Sequence, residues 1–170
     1  MIGLNVGSGQ RPFTTTPAVT WVNIDSVAKW NPDVQCNAEH LPYEDNSVDY
    51  VVLHHVLEHF GCGEGAGLIR EAYRVLKPGG SLLVFVPNLR ALAERWLRGG
   101  FSTQIYVTNL YGAYMGNEED RHKWGFDPDS LEEFLEGSEI WGCVIPFDWR
   151  SIPGADIAQD FWIIGMEACK

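Results

Sequence analysis

No hydrophobic run in this chain approaches the ~18–20 residues needed to cross a bilayer, so no membrane partner is expected. Basic residues are scarce as well. Twelve Lys and Arg stand against 23 Asp and Glu, a formal net charge of -11. That balance argues against a nucleic-acid backbone, a polyphosphate or an anionic membrane as partner; Arg121-His122-Lys123 is the strongest local basic patch. Cysteine is thinly spread: Cys36, Cys62, Cys143 and Cys169 form no C-x-x-C pair, and no leader-like apolar stretch follows Met1. A reduced chain in the cytoplasm is therefore expected. Repeats, linkers and low-complexity tails are lacking, and 170 residues fit one domain able to bury about two thirds of its unfolded surface.

One further absence bears on the ligand. Gly7-Ser8-Gly9 follows an apolar first segment, but Pro12 stands where the dinucleotide fingerprint needs its third glycine. The prolines at 12 and 17 also deny the following stretch a helix. A nucleotide-like ligand without phosphates fits such a loop better than NAD does.

What is present alternates. Ile2–Val6, Trp21–Ile24, Asp33–Cys36, Val48–Leu53 and Ser81–Val86 read as strands, the later ones as apolar runs typical of a parallel sheet. Helices are expected directly after Leu53, from Leu68 to the Lys77-Pro78-Gly79-Gly80 stop, from Leu89 to Arg98, and from Asp127-Pro128 to Gly137. The glycines at 61, 63, 65 and 67 are expected to form a loop. Ile140–Phe147 and Phe161–Glu167 read as two final strands with no helix between them. The fold expected is α/β, a Rossmann-like doubly wound sheet of about seven strands, mostly parallel with an antiparallel last strand. The stretch 101–124, with Tyr106, Tyr111, Tyr114 and Trp124, has no clear period and is expected to be an inserted, function-bearing loop on the substrate side. Seven Trp in all suggest an aromatic core, a lined pocket, or both.

Ligands of such sheets sit at the carboxyl ends of the strands. Gly7-Ser8-Gly9, Asp25, Asn37 and His54-His55 all fall at such ends. Two glycines let a ligand approach the backbone and meet its N–H groups. Asp25 can accept from both hydroxyls of a ribose, and competes with a plain loop aspartate. Asn37 can accept from an adenine amino group while the N–H of Ala38 meets a ring nitrogen, and competes with a plain turn asparagine. Leu41-Pro42 would cover one face of the base.

These segments, with Leu4-Asn5-Val6 ahead of the glycines, Asn46-Ser47-Val48-Asp49, Arg74-Val75-Leu76-Lys77-Pro78-Gly79-Gly80 and the late run from His122 to Leu131, occur in an order that resembles the class I S-adenosylmethionine-dependent methyltransferases of the small-molecule type 11 group. The resemblance spans almost the whole chain. It implies S-adenosylmethionine as cofactor and an unidentified small-molecule methyl acceptor. It also implies that Gly7, Ser8 and Gly9 meet the methionine portion, Asp25 the ribose, and Asn37 with Ala38 the adenine. His54 and His55 would stand near the sulfonium, and His55 and His122 are the candidate bases for an acceptor that must lose a proton. The sequence departs from that pattern in Ser8, which replaces a cysteine or alanine, in the missing third glycine and helix, and in Asn37, which replaces an aspartate and its charge-assisted bond.

Two other readings compete. His55-Val56-Leu57-Glu58-His59 matches an H-x-x-E-H zinc helix with Glu58 as base, although no third protein ligand is evident. A domain that keeps the methyltransferase fold only to bind a partner is the other. The expected site contains no metal.

Overall fold

The computed structural model describes residues 1–113, 120–155 and 162–170. Seven strands form one sheet: β1 (Ile2–Val6), β2 (Thr20–Asp25), β3 (Val34–Gln35), β4 (Val48–His54), β5 (Leu76–Pro87), β6 (Cys143–Pro146) and β7 (Ile163–Cys169). Their order is β3-β2-β1-β4-β5-β7-β6, with β7 antiparallel to both neighbours and the other described pairs parallel. The order reverses between β1 and β4, so the crevice of a doubly wound sheet opens where those two strands end.

Alternation along each strand sends side chains to two cores. On one face Leu4, Val6, Ile24, Val51, Leu53, Leu82 and Val84 pack with Leu68, Ile69, Ala72 and Val75 of helix α1 (Cys62–Val75) and with Leu131 and Leu135 of helix α4 (Pro128–Glu136). On the other, Phe13, Val19, Trp21, Val52, Leu83, Phe85 and Ile152 form a smaller core. Helices α2 (Leu89–Leu97) and α3 (Thr103–Tyr111) form a hairpin in which Trp96 and Tyr106 stack with centroids 4.8 Å apart.

Several expectations change. α1 begins at Cys62, not Leu68. Of its glycines, Gly65 serves packing: a Cβ there would lie 3.2 Å from Leu57 and 3.3 Å from Phe134. No α-helix directly follows β4; a single 3-10 turn at Leu57–His59 stands there. Lys77 to Gly80 belong to β5, where the register to β4 shifts between Val48 and Tyr50, and Gly80 fits because a Cβ would meet the Asp49 carbonyl at 2.9 Å. The stretch 101–124 contains α3; Tyr114, expected to serve the substrate side, lies outside the described residues, as does Phe161. Finally, the four thiols are not all free. Cys143 and Cys169 face one another across β6 and β7 and are joined as a disulfide.

The missing helix between β1 and β2 is as expected: residues 11–16 have no regular structure. Two buried asparagines hold this loop instead. Asn23 Oδ1 accepts from Asn5 Nδ2 (2.9 Å) and from the Phe13 N–H (2.6 Å), and Asn23 Nδ2 donates to the Phe13 carbonyl (3.2 Å). Asn5 Nδ2 also reaches the Arg11 carbonyl at 3.1 Å. Among the described residues, no helix is long and apolar enough to cross a membrane.

Candidate functional site

A cavity of about 620 Å³ opens at the carboxyl ends of β1, β2 and β4. Gly7, Ser8, Gly9, Asp25, Asn37, Ala38, His54 and His55 all line it. Trp30, Phe60, His59 and Lys123 line it too. Trp30 is not marked out by the sequence, where its only signal is an aromatic five residues past the acid that ends β2.

The glycine turn is shaped by close approach. Gly7 has φ 68°, and a Cβ there would fall 2.4 Å from Val56 Cγ2. Its N–H groups are less available than the spacing suggests, because Ser8 N donates to the Ile24 carbonyl (2.9 Å) and Gly9 N to Asp25 Oδ2 (2.8 Å). At Gly7 and Gly9 the turn thus presents bare backbone more than a cradle of donors.

Asp25 is buried at the end of β2. Its second oxygen accepts from the Val27 N–H at 2.8 Å, so each carboxylate oxygen holds one backbone donor and retains a lone pair for a second. Asn37 is exposed, and its Oδ1 closes a turn by accepting from the Glu39 N–H at 3.1 Å. The chain beyond is latched to α1: Leu41 N donates to Glu71 (2.7 Å), while Arg74 donates to the carbonyls of Tyr43 (2.8 Å) and Leu41 (3.1 Å) and pairs with Glu71. That fixes the Leu-Pro segment against α1, with Leu41 in the larger core; neither Leu41 nor Pro42, expected to cover one face of the base, lines the cavity.

His54 ends β4 and is only 8% exposed, with a buried Nε2 that has no hydrogen-bond partner among the described residues. Burial first, then the charges of His55 and Arg11, hold its pKa down to about 3, so the ring is neutral at pH 7. His55 turns the chain sharply with φ 56° and donates its N–H to the Phe85 carbonyl at 2.9 Å. Its Nδ1 lies 2.9 Å from Glu58 Oε1. Glu58 is 1% exposed; burial pushes its pKa up, but the bond from His55 and the charges of His55, His59 and His122 outweigh that and leave it below the ordinary value. An ionised carboxylate only accepts, so His55 carries its proton on Nδ1 and keeps Nε2 as the basic nitrogen.

The H-x-x-E-H zinc helix does not form. His55 is left-handed and Leu57–His59 make only a 3-10 turn, so His55 and His59 do not share a helical face. His59 instead sets its ring 4.9 Å from that of His122, with Nδ1 of His59 3.1 Å from the Arg121 carbonyl. His122 stands behind His59, does not itself line the cavity, and binds the Asn109 carbonyl through Nδ1 at 3.0 Å.

Comparison with known proteins points the same way. A methyltransferase-domain family model matches residues 4–84. A ubiquinone/menaquinone biosynthesis C-methyltransferase of Escherichia fergusonii is 33% identical over 110 residues, covering 61% of this chain and 43% of that protein. The Haemophilus ducreyi protein of the same name is 51% identical over 51 residues, 30% of this chain and 19% of its own length. The matches thus span less than half of these relatives. In fold, the chain resembles the 1,6-didemethyltoxoflavin-N1-methyltransferase of Burkholderia thailandensis, solved with S-adenosylhomocysteine (TM-score 0.59, 17% identity, 99% of this chain and 70% of that one). It also resembles a SAM-dependent methyltransferase of Archaeoglobus fulgidus (TM-score 0.62, 13% identity, 99% and 86%).

Proposed function

We propose, from the premise that this chain carries a methyltransferase domain of the type 11 group on the class I fold, that it binds S-adenosylmethionine in the cavity and transfers the methyl group to a small molecule. The observation that carries the reading is the convergence of the glycine turn, Asp25, Asn37-Ala38 and His54-His55 on one cavity at the strand-order switch. The residues fit that cofactor. Asp25 retains one lone pair on each oxygen for two vicinal hydroxyls, and the bare surface of Gly7 and Gly9 admits a ligand to the end of β1.

When bound, S-adenosylmethionine supplies a methyl group on a cationic sulfur already activated for in-line displacement. The protein's work is then mostly positioning and exclusion of water, holding the acceptor atom roughly 3 Å from the reacting carbon. Trp30 and Phe60 supply apolar wall. The neutral ring of His54 adds no positive charge beside a sulfonium. His55, oriented by ionised Glu58, is the group placed to take a proton from the acceptor at Nε2. The surplus of acidic residues suits a cationic or neutral acceptor better than an anionic one.

S-adenosylhomocysteine is expected to raise the melting temperature, and Asp25→Ala to abolish the rise; no shift with the unsubstituted chain at millimolar ligand would refute the reading. Binding without methyl transfer to any of a broad acceptor panel would assign the chain to the non-catalytic class.

A further inference from the structure

Three ligand-type side chains meet at the His59 side of the cavity, and among them only Glu58, through the oxygen that holds His55, has a part in the methyl transfer proposed above. Glu58, His59 and His122 each offer one atom, and these atoms lie within 4.8 Å of one another. Their remaining valences are already assigned. His59 Nδ1 and His122 Nδ1 lie 3.1 and 3.0 Å from the carbonyls of Arg121 and Asn109. A carbonyl can only accept, so both rings carry the proton on Nδ1 and leave an Nε2 lone pair. That is the outer-shell arrangement that orients metal-binding imidazoles.

Glu58 supplies the independent observation. Its side chain is 1% exposed, and Oε1 is taken by His55, yet Oε2 is buried with no hydrogen-bond partner among the described residues. An unsatisfied carboxylate oxygen at such depth is costly unless a cation or donor meets it. The Glu58 carbonyl also accepts the N–H groups of Lys123 (2.8 Å) and Trp124 (3.1 Å), which fastens the His122 segment against the 3-10 turn.

We infer that Glu58, His59 and His122 form a binding site for a divalent transition-metal ion, Zn2+ fitting the donor set best. Two imidazole nitrogens and one carboxylate oxygen make a three-ligand set with one open position. Zinc ligands at about 2.0–2.1 Å from the ion sit roughly 3.3 Å from each other in a tetrahedral site, so side-chain rotations that draw the three donors together complete the coordination. His59 is the member of the three that lines the cavity, so the ion would lie in the cavity wall. The ligand set differs from the sequence motif's: His122 takes the place of His55, which instead holds the other oxygen of Glu58, and Glu58, the base of that motif, becomes a ligand.

The test is titration of the untagged full chain, cleared of metal with a chelator, with Co2+ followed by its visible absorption and then by Zn2+ competition. One equivalent of Co2+ with the intense bands of a four-coordinate ion, displaced by Zn2+, is expected. His59→Asn and His122→Asn should each weaken binding by roughly 100-fold or more, beyond the loss typical of an outer-shell change. Glu58→Gln, which keeps the buried shape, should weaken it similarly while the chain stays folded. Absence of a saturable spectrum at millimolar Co2+, or binding unchanged in both histidine variants, overturns the inference. Asp25→Ala should leave Co2+ binding intact while abolishing the response to S-adenosylhomocysteine, so the metal site and the methyltransferase reading succeed or fail separately.

Discussion

At the end of β1 a single methyl group decides whether the chain can turn. Ala in place of Gly7 would hold an L side chain at φ 68° and set its Cβ 2.4 Å from Val56, a residue of the cavity wall. Gly7→Ala is therefore expected to cost about 2–5 kcal/mol in denaturant titration, the left-handed penalty and the overlap together, and to abolish the S-adenosylhomocysteine shift. At Gly9 (φ 48°) the nearest heavy atom to such a Cβ is 4.0 Å away, so Gly9→Ala should cost only the left-handed penalty of ~1–2 kcal/mol. Equal losses at the two positions would refute the account of the turn. Trp30 gives an optical readout: ligand entry should change the fluorescence of the chain, and Trp30→Phe should remove most of that change despite the other six tryptophans. Asp25 and the glycines stood out in sequence because they fall together at strand ends, and the structure brings them to one cavity. Trp30 did not stand out, since an aromatic residue past a strand reads equally well as core. The burial of Glu58 was hidden too, because pairing by His55 and the fastening of residues 123 and 124 to its carbonyl are tertiary facts.

Among the elements, the first crossover departs furthest from the pattern the chain resembles. Pro12 and Pro17 made the missing helix readable, but the means of covering the sheet without it was not: two asparagines within strands that alternate normally. Asn23 makes four side-chain hydrogen bonds, to Asn5, to both backbone groups of Phe13 and to Asp33, and thus holds the loop over the smaller core. Asn23→Leu leaves the Asn5 amide and the Phe13 backbone groups buried without those bonds and should destabilise the fold by about 2–4 kcal/mol, read as a lower urea midpoint. A change under about 0.5 kcal/mol, the range of an ordinary surface substitution, would show the network to be incidental. The early start of α1 escaped notice for a related reason. Glycines disfavour a helix in isolation by about 1 kcal/mol each, yet at Gly65 the absent side chain is what lets α1 meet Phe134 of α4. Periodicity identified α2 and α4, whose apolar spacing faces a core, and failed on α3, whose described residues include none that is buried.

Over the whole molecule, acid should act through histidines, buried His54 above all and half-buried His122 with it, before it acts through the carboxylates. His54 is held neutral by burial at the end of β4, with His55 and Glu58 beside it in the following turn and Arg11 reaching it from the crossover loop. Unfolding restores the ordinary histidine pKa of 6.5, whereas in the fold it is about 3. The unfolded state therefore takes up a proton first as pH falls. Stability from this group is complete above pH 6.5 and drains between 6.5 and 3, by up to about 1.4 kcal/mol for each pH unit. Asp49, Glu71 and Asp127, whose pKa values are lowered, keep their contributions until the pH falls below the ordinary carboxylate range and lose them only then. Burial lowers the His122 pKa as well, so the interval from pH 6.5 to 5 isolates these two histidines from the carboxylates. Unfolding free energies measured across it should fall for the natural chain and fall less steeply for His54→Leu, a neutral replacement on a site walled by Phe85, the remaining slope belonging to His122. Parallel slopes in the two proteins would mean that His54 is solvated in the fold. In that case its bare Nε2 would not be the neutral wall at which a sulfonium is expected to rest.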